Sequence, residues 1–181
     1  MDSKPRRRRY LWILVPCLGL ALILIAGGLW IAGGSMIIPM LLAGGDYEHA
    51  LTVVAQKGNA DAQCQLGADY YSGADELKKD PAAGVPWLRK AADQGAVCGL
   101  YNLGVAYQEG NGVPKNMPEA IRLWQEAADK GFVHAQYNLA VVYRDGVGVK
   151  KDKAQAIHWF QLAADQGDDE SQDQLKALQG K

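Results

Sequence analysis

Three histidines and three cysteines are the residues of this 181-residue chain best suited to carry a metal, a proton or an electron. His49, His134 and His158 show no His-Glu-x-x-His spacing, which would put two imidazoles on one helical face around zinc. The chain has no Gly-x-Ser-x-Gly nucleophile elbow and no Gly-x-x-x-x-Gly-Lys-Ser/Thr phosphate loop. "GNGVPKN" at 110–116 is glycine-rich, but a helix-breaking turn accounts for both glycines. "DDESQD" at 168–173 alternates acids like the start of a calcium loop. It lacks that loop's glycine, and Gly180 takes the place of the closing glutamate, so capping of a helix N-terminus is the reading. Neither catalysis nor a metal or cofactor site is expected.

The elements that would position any functional side chain are better marked. The first nine residues hold five basic groups, and Tyr10 to Gly45 carries no charge. From Asp46 onward there are 14 basic and 19 acidic residues, which lacks the basic footprint of a nucleic-acid binder. Residues 10–32 form an uncharged, mostly apolar run of roughly 35 Å as a helix, enough to span a bilayer. Trp12 and Trp30 suit its two interfaces, and Arg6 to Arg9 hold residues 1–9 in the cytoplasm. The rival reading is a cleaved signal peptide, although its apolar core is usually only about 7–15 residues long. Gly28 and Ala32 make one small-residue pair, and Cys17 reads as a small apolar residue within the span.

"AADQG" at 91–95 returns as "AADKG" at 127–131 and "AADQG" at 163–167, each step being 36 residues. Residues 96–131 and 132–167 share 17 of 36 positions. Positions are counted here from the glycine that closes each copy, with Gly58 opening the first. Leu66, Leu103 and Leu139 then fall at +8, Tyr70, Tyr107 and Tyr143 at +12, and Gly73, Gly110 and Gly146 at +15. Ala135, Leu139 and Tyr143 lie four residues apart, on one helical face. Gly146 to Val149 ends that helix, Asp152 or Asn116 caps a second, and Ala156, Ile157, Phe160, Ala163 and Ala164 again recur at helical spacing. Each copy is a helix, a turn and an antiparallel helix, and the copies must stack to bury their apolar faces. In the first copy, Gly84 and Pro86 interrupt the second helix, which is expected to start late, near Pro86, or to kink there.

"AQYNLAVVYRDGVGVKKDKAQAIHWFQLAADQG" (135–167) and "YNLGVAYQEGNGVPKNMPEAIRLWQEAADKG" (101–131) resemble the Sel1-like repeat, a relative of the tetratricopeptide repeat. The resemblance implies an all-α fold: an α-solenoid of helix-turn-helix Sel1-like repeats, here preceded by one transmembrane helix at 10–32. A linker and opening half-repeat would occupy 33–58, repeats 59–95, 96–131 and 132–167, and a capping helix 168–181. Some Sel1-like relatives are stapled by two cysteines per repeat. This chain lacks that pattern, which argues against importing their proposed β-lactam-hydrolysing activity. Cys64 takes the place of Tyr101 and Tyr137 and is expected to be buried. Cys98 takes that of Asp61 and His134 on a more polar face, and the divergence of the two faces argues against a bridge.

A polar stripe at +3, +7 and +14 remains: Asp61, Gln65 and Ser72; Cys98, Asn102 and Glu109; His134, Asn138 and Asp145. First helices line the concave groove of such solenoids, so this stripe is the candidate site for a protein or peptide partner. Hydrogen bonding of Asn102 and Asn138 within the scaffold is the alternative. The function expected is a non-catalytic scaffold or adaptor of the bacterial cell envelope, in the inner membrane with its repeats in the periplasm. An immunity protein that neutralises a toxic effector is one alternative. A hydrolase or cell-wall-acting enzyme is the other.

Overall fold

The computed structural model describes residues 23–25, 28–30, 47–73 and 78–180. The chain divides into two compact units, 1–38 and 39–181. In the first, β1 (Ile23–Ile25) and β2 (Gly28–Trp30) pair antiparallel with Ile23 opposite Trp30. The transmembrane helix expected at 10–32 is not shown: the six described residues of that span are strands. Ile23 and Ile25 are β-branched and Gly28 is a poor helix former, so local propensity favours extended backbone. The rest of 10–32 lies outside the described residues, as do the basic tip, the linker up to residue 46 and the first-copy loop at 74–77. Among the described residues no helix is long and apolar enough to cross a membrane.

The second unit holds eight described helices: α1 (Tyr47–Gln56), α2 (Ala60–Ser72), α3 (Pro81–Asp93), α4 (Val97–Glu109), α5 (Met117–Asp129), α6 (Val133–Asp145), α7 (Lys153–Ala164) and α8 (Asp169–Gln179). Helices α2, α4 and α6 are the first helices of the three copies, and α3, α5 and α7 the second. The opening half-copy is α1. Each boundary has a local cause. The side chains of Asp80, Asn116 and Asp152 accept N–H bonds from the first turns of α3, α5 and α7. Gly110 and Gly146 end α4 and α6 in the left-handed region, φ +73° and +74°, where a side chain would be strained. The core runs through the stack as small residues against large ones, with Ala106, Ala127, Ala135 and Ala163 fully buried beside Trp124, Leu139 and Phe160.

Two features of α3 depart from the sequence reading. The helix begins at Pro81, behind the Asp80 cap, and carries Pro86 in its interior. A late start at Pro86 is therefore wrong. Pro81 sits in the first turn, where no N–H is required, and Pro86 lies on the exposed face, so the Ala82 carbonyl it cannot serve is open to water. Gly84 has a packing role, since a Cβ there would come within 2.5 Å of the Gly67 carbonyl oxygen on α2. The two glycines let the paired backbones approach closely. At the far end, α8 stands where the first helix of a fourth copy would begin. Its Ser171, at +4, is fully buried like Ala62 and Ala135.

Candidate functional site

Stacking joins position +6 of each first helix to position +3 of the next, and does so with different chemistry each time. Cys64 on α2 and Cys98 on α4 form a disulfide, with Cα atoms 6.2 Å apart. The Tyr101 ring on α4 lies 6.0 Å from the His134 ring on α6 and 5.0 Å from that of Phe132. The Tyr137 hydroxyl on α6 donates to Glu170 on α8 at 2.5 Å. The bridge overturns the expectation that Cys64 and Cys98 face apart. They do diverge within one helix, but the successive helix is offset so that +6 meets +3. Cys64 is buried, as expected, and Cys98 half-buried.

The stripe residues fall into three groups. Cys98, Asn102 and Glu109 bind the preceding copy: Asn102 Nδ2 lies 3.7 Å from Cys64 Sγ, and Glu109 accepts from the Tyr71 hydroxyl at 2.5 Å. Gln65, Ser72 and Asp145 bond within their own helices, to Asp69, the Ala68 carbonyl and Arg144. Asp61 and His134 are exposed and Asn138 is half-buried; none of the three makes a side-chain hydrogen bond among the described residues. Burial and the bond to Glu109 push Tyr71 up to about 12. The bond to Glu170, with some burial, raises Tyr137 to about 12. Arg144 holds Asp145 below the usual carboxylate range. Phenols tied to carboxylates in this way stay neutral and serve as fixed donors. Among the described residues no group of three or more His, Cys, Asp or Glu side chains could hold a metal. His158 is exposed, its ring 5.0 Å from that of Trp159.

Sequence reasoning missed a second set of contacts. Gln63 and Gln136, both at +5, are buried and donate to the carbonyls of Ala55 and Ala128. Each also accepts from the glutamine before its copy's closing glycine: Gln94 bonds Gln63 at 2.7 Å and Gln166 bonds Gln136 at 2.8 Å. The middle copy has Leu100 at +5 and Lys130 before its glycine. The signal lay in the alternation of "AADQG" and "AADKG", matched by Gln, Leu and Gln at +5. A cleft of about 430 Å³ opens on the middle copy, between α3 and α5 over α4, with Leu100, Leu103 and Leu123 in its floor and Arg89, Glu119 and Arg122 at its rim.

Antiparallel helix pairs stacked at a fixed period define an α-solenoid whose working surface extends over several copies. The Sel1 repeat family model matches residues 60–95, 99–132 and 133–168, more than half of the chain. The chain belongs to the Sel1 repeat family. Proteins of this family are protein-interaction scaffolds, generally without catalysis. One curated relative is the ERAD-associated E3 ubiquitin-protein ligase component HRD3A of Arabidopsis thaliana, 40% identical over 58 residues, which are 32% of this chain and 9% of HRD3A. Among solved structures, c5321, a protective antigen present in uropathogenic Escherichia coli strains, matches with 43% identity and a TM-score of 0.66, over 69% of this chain and 27% of its own. A Sel1 repeat protein from Oxalobacter formigenes matches with 30% identity and a TM-score of 0.67, over 72% of this chain and 55% of its own. Cysteine-rich protein B of Helicobacter pylori, at 22% identity and a TM-score of 0.56, shares the fold, over 71% of this chain and 96% of its own. The chain thus spans under a tenth of HRD3A and about a quarter of c5321.

Proposed function

We propose that this chain is a membrane-anchored adaptor of the bacterial cell envelope that binds a protein partner along the first helices of its three copies. The observation that carries the proposal is the set of exposed polar groups on α2, α4 and α6: Asp61, Gln65 and Ser72, then Glu109, then His134 and Asp145. That set lies on one scaffold locked by contacts from copy to copy. A rigid surface loses little entropy on binding, which favours partner recognition. HRD3A is by its name a component of a larger assembly, which supports the same reading.

Residues 10–32 serve as the anchor, with the basic tip cytoplasmic and the repeats periplasmic. The uncharged run and Arg6 to Arg9 support this orientation. A Cys64–Cys98 disulfide is what an oxidising compartment preserves.

Crosslinking in intact cells tests the binding reading, with purification through a C-terminal tag beside a variant in which Asn102, Glu109, Asn138 and Asp145 are changed to Ala. Loss of one abundant partner in the variant is expected. Retention of that partner would move the site off the first helices. The same cells test the anchor: the tagged chain should resist alkaline extraction from membranes, and its repeats should become protease-accessible when the outer membrane is opened. Release by alkali would refute the anchor.

A further inference from the structure

A disulfide is a permanent staple when both sulfurs are sealed from solvent, and an exchangeable bond when one can be reached and the other can leave. The two halves of the Cys64–Cys98 bridge differ in this way. Cys64 is 1% exposed, within the apolar cluster that holds Val85, Leu88 and Leu103. Cys98 is half-buried at +3, the position where Asp61 and His134 stand exposed in the other copies. A thiolate arriving from solvent therefore meets the Cys98 sulfur and expels Cys64.

Burial disfavours the thiolate that leaves, so the departing sulfur needs a donor. Asn102, one turn beyond Cys98 on α4, donates from Nδ2 to Cys64 Sγ at 3.7 Å. A hydrogen bond to the leaving sulfur stabilises its charge and speeds exchange. Cys98 has a stabiliser of its own for the step that frees it. It is the second residue of α4, and Ala96 at the cap offers no side-chain acceptor to the N–H groups of that first turn. The positive end of the helix favours a thiolate so placed. Once the bridge is open, the bonds from Tyr71 to Glu109 and from Arg89 to Tyr107 still join the two copies. The sulfurs stay neighbours, and the bond can re-form.

We propose that the Cys64–Cys98 bridge is a site of thiol–disulfide exchange, entered at Cys98 by a dithiol protein. In the first step a thiolate of the dithiol bonds to the Cys98 sulfur, the S–S bond breaks, and Cys64 leaves as a thiolate that takes a proton from water. In the second, the other thiolate of the dithiol attacks the sulfur joined to Cys98 and releases the Cys98 thiolate. Two electrons pass to the bridge, which ends as two thiols, and the dithiol ends as a disulfide. That disulfide runs the same steps backward. The strength of the first junction is thereby set by a redox partner, unlike the ring contact and the hydrogen bond of the other two. The inference stands apart from the adaptor and anchor readings.

Reduced glutathione is the probe, because a monothiol leaves the mixed disulfide in place. The full chain in detergent is exposed to it briefly, quenched with acid, unfolded, alkylated with N-ethylmaleimide and mapped by peptide mass spectrometry. Glutathione is expected on Cys98 and maleimide on Cys64, while the same treatment in denaturant should put glutathione on both. No adduct on the folded chain, adduct on Cys64, or adduct spread over both cysteines would each overturn the inference, the last because it signals opening through the unfolded state. Asn102→Leu should slow opening by roughly threefold, whereas a change that merely loosened the fold would speed it. Asn102→Asp, which sets a negative charge beside the departing sulfur, should slow it too and serves if Asn102→Leu does not fold. A rate unchanged or raised in a folded variant would overturn the proposed route.

Discussion

The junction between the first two copies and the junction between the third copy and α8 use the same two positions, yet one is covalent and the other a single hydrogen bond. Cys64 is bonded to Cys98, and Tyr137 donates to Glu170. Between them lies the aromatic contact of Tyr101 with His134. The repeat therefore fixes which positions meet, while residue type sets how strongly they hold.

Removing the bridge should have the largest effect. The bridge closes a loop of sequence separation 34, worth roughly 3.5–4 kcal/mol by chain entropy. Cys64→Ser with Cys98→Ser should lower the unfolding free energy by that amount, read as a fall in the urea midpoint. Reductant should do the same to the natural chain and nothing to the variant. A midpoint indifferent to reductant would mean that the first junction holds without a covalent bond, and the contrast between the two junctions would collapse.

The second test compares copies within their helix pairs. A Cβ on Gly104 would lie 2.5 Å from Trp124 Nε1, while the third copy carries Ala140 and Phe160 at the same positions. Gly104→Ala should cost about 1–3 kcal/mol as overpacking. In a Trp124→Phe background the extra loss should shrink, because phenylalanine is the residue the third copy sets against alanine. A double-mutant cycle by chemical denaturation measures this coupling. Additive losses would show that the copies pack independently of this pair.

The helix pairs and their caps were legible because they rest on local rules. Glycine ends a first helix, Asp or Asn starts a second, and small and large apolar residues recur at helical spacing. The contacts between copies were not, because they depend on the offset between helices. Cys64 and Cys98 looked divergent on a helical wheel and meet only once the stack is built. Gly84 looked like a defect until the Gly67 carbonyl was seen beside it. The glutamine pairs had a signal, the matched Gln, Leu and Gln at +5, but their carbonyl partners, Ala55 and Ala128, lie on neighbouring helices and depend on the same offset. Of the nine stripe residues, Cys98, Asn102 and Glu109 are tied to the copy before them, which position along one helix does not show.

The glutamine pairs provide a third test. Gln136→Leu removes a buried donor to the Ala128 carbonyl and an acceptor for Gln166, and should cost about 1–2 kcal/mol. Adding Gln166→Lys recreates the pairing of the middle copy, Leu100 with Lys130, and should recover part of the loss. Thermal denaturation of the single and double variants measures both. A single variant as stable as the natural chain would make the glutamines interchangeable with leucine and erase the distinction between the middle copy and its neighbours.

The smallest effect belongs to the last junction. Tyr137→Phe removes one partly solvated bond to Glu170 and should cost under about 1 kcal/mol at neutral pH. Its signature is in the alkaline range. The phenol titrates at an ordinary 10.0 when unfolded and at about 12 in the fold, so the folded state holds its proton longer. The bond contributes fully below pH 10, weakens as the unfolded chain loses the proton first, and is gone above about 12. The natural chain should therefore lose stability faster than Tyr137→Phe between those limits, and the two curves should converge at the top of the range. Urea midpoints measured at intervals across it would show this. Parallel curves would mean that α8 is held by the Arg144 bond to Gln174 and by packing, with Ser171 and Leu175 as its tie to the stack.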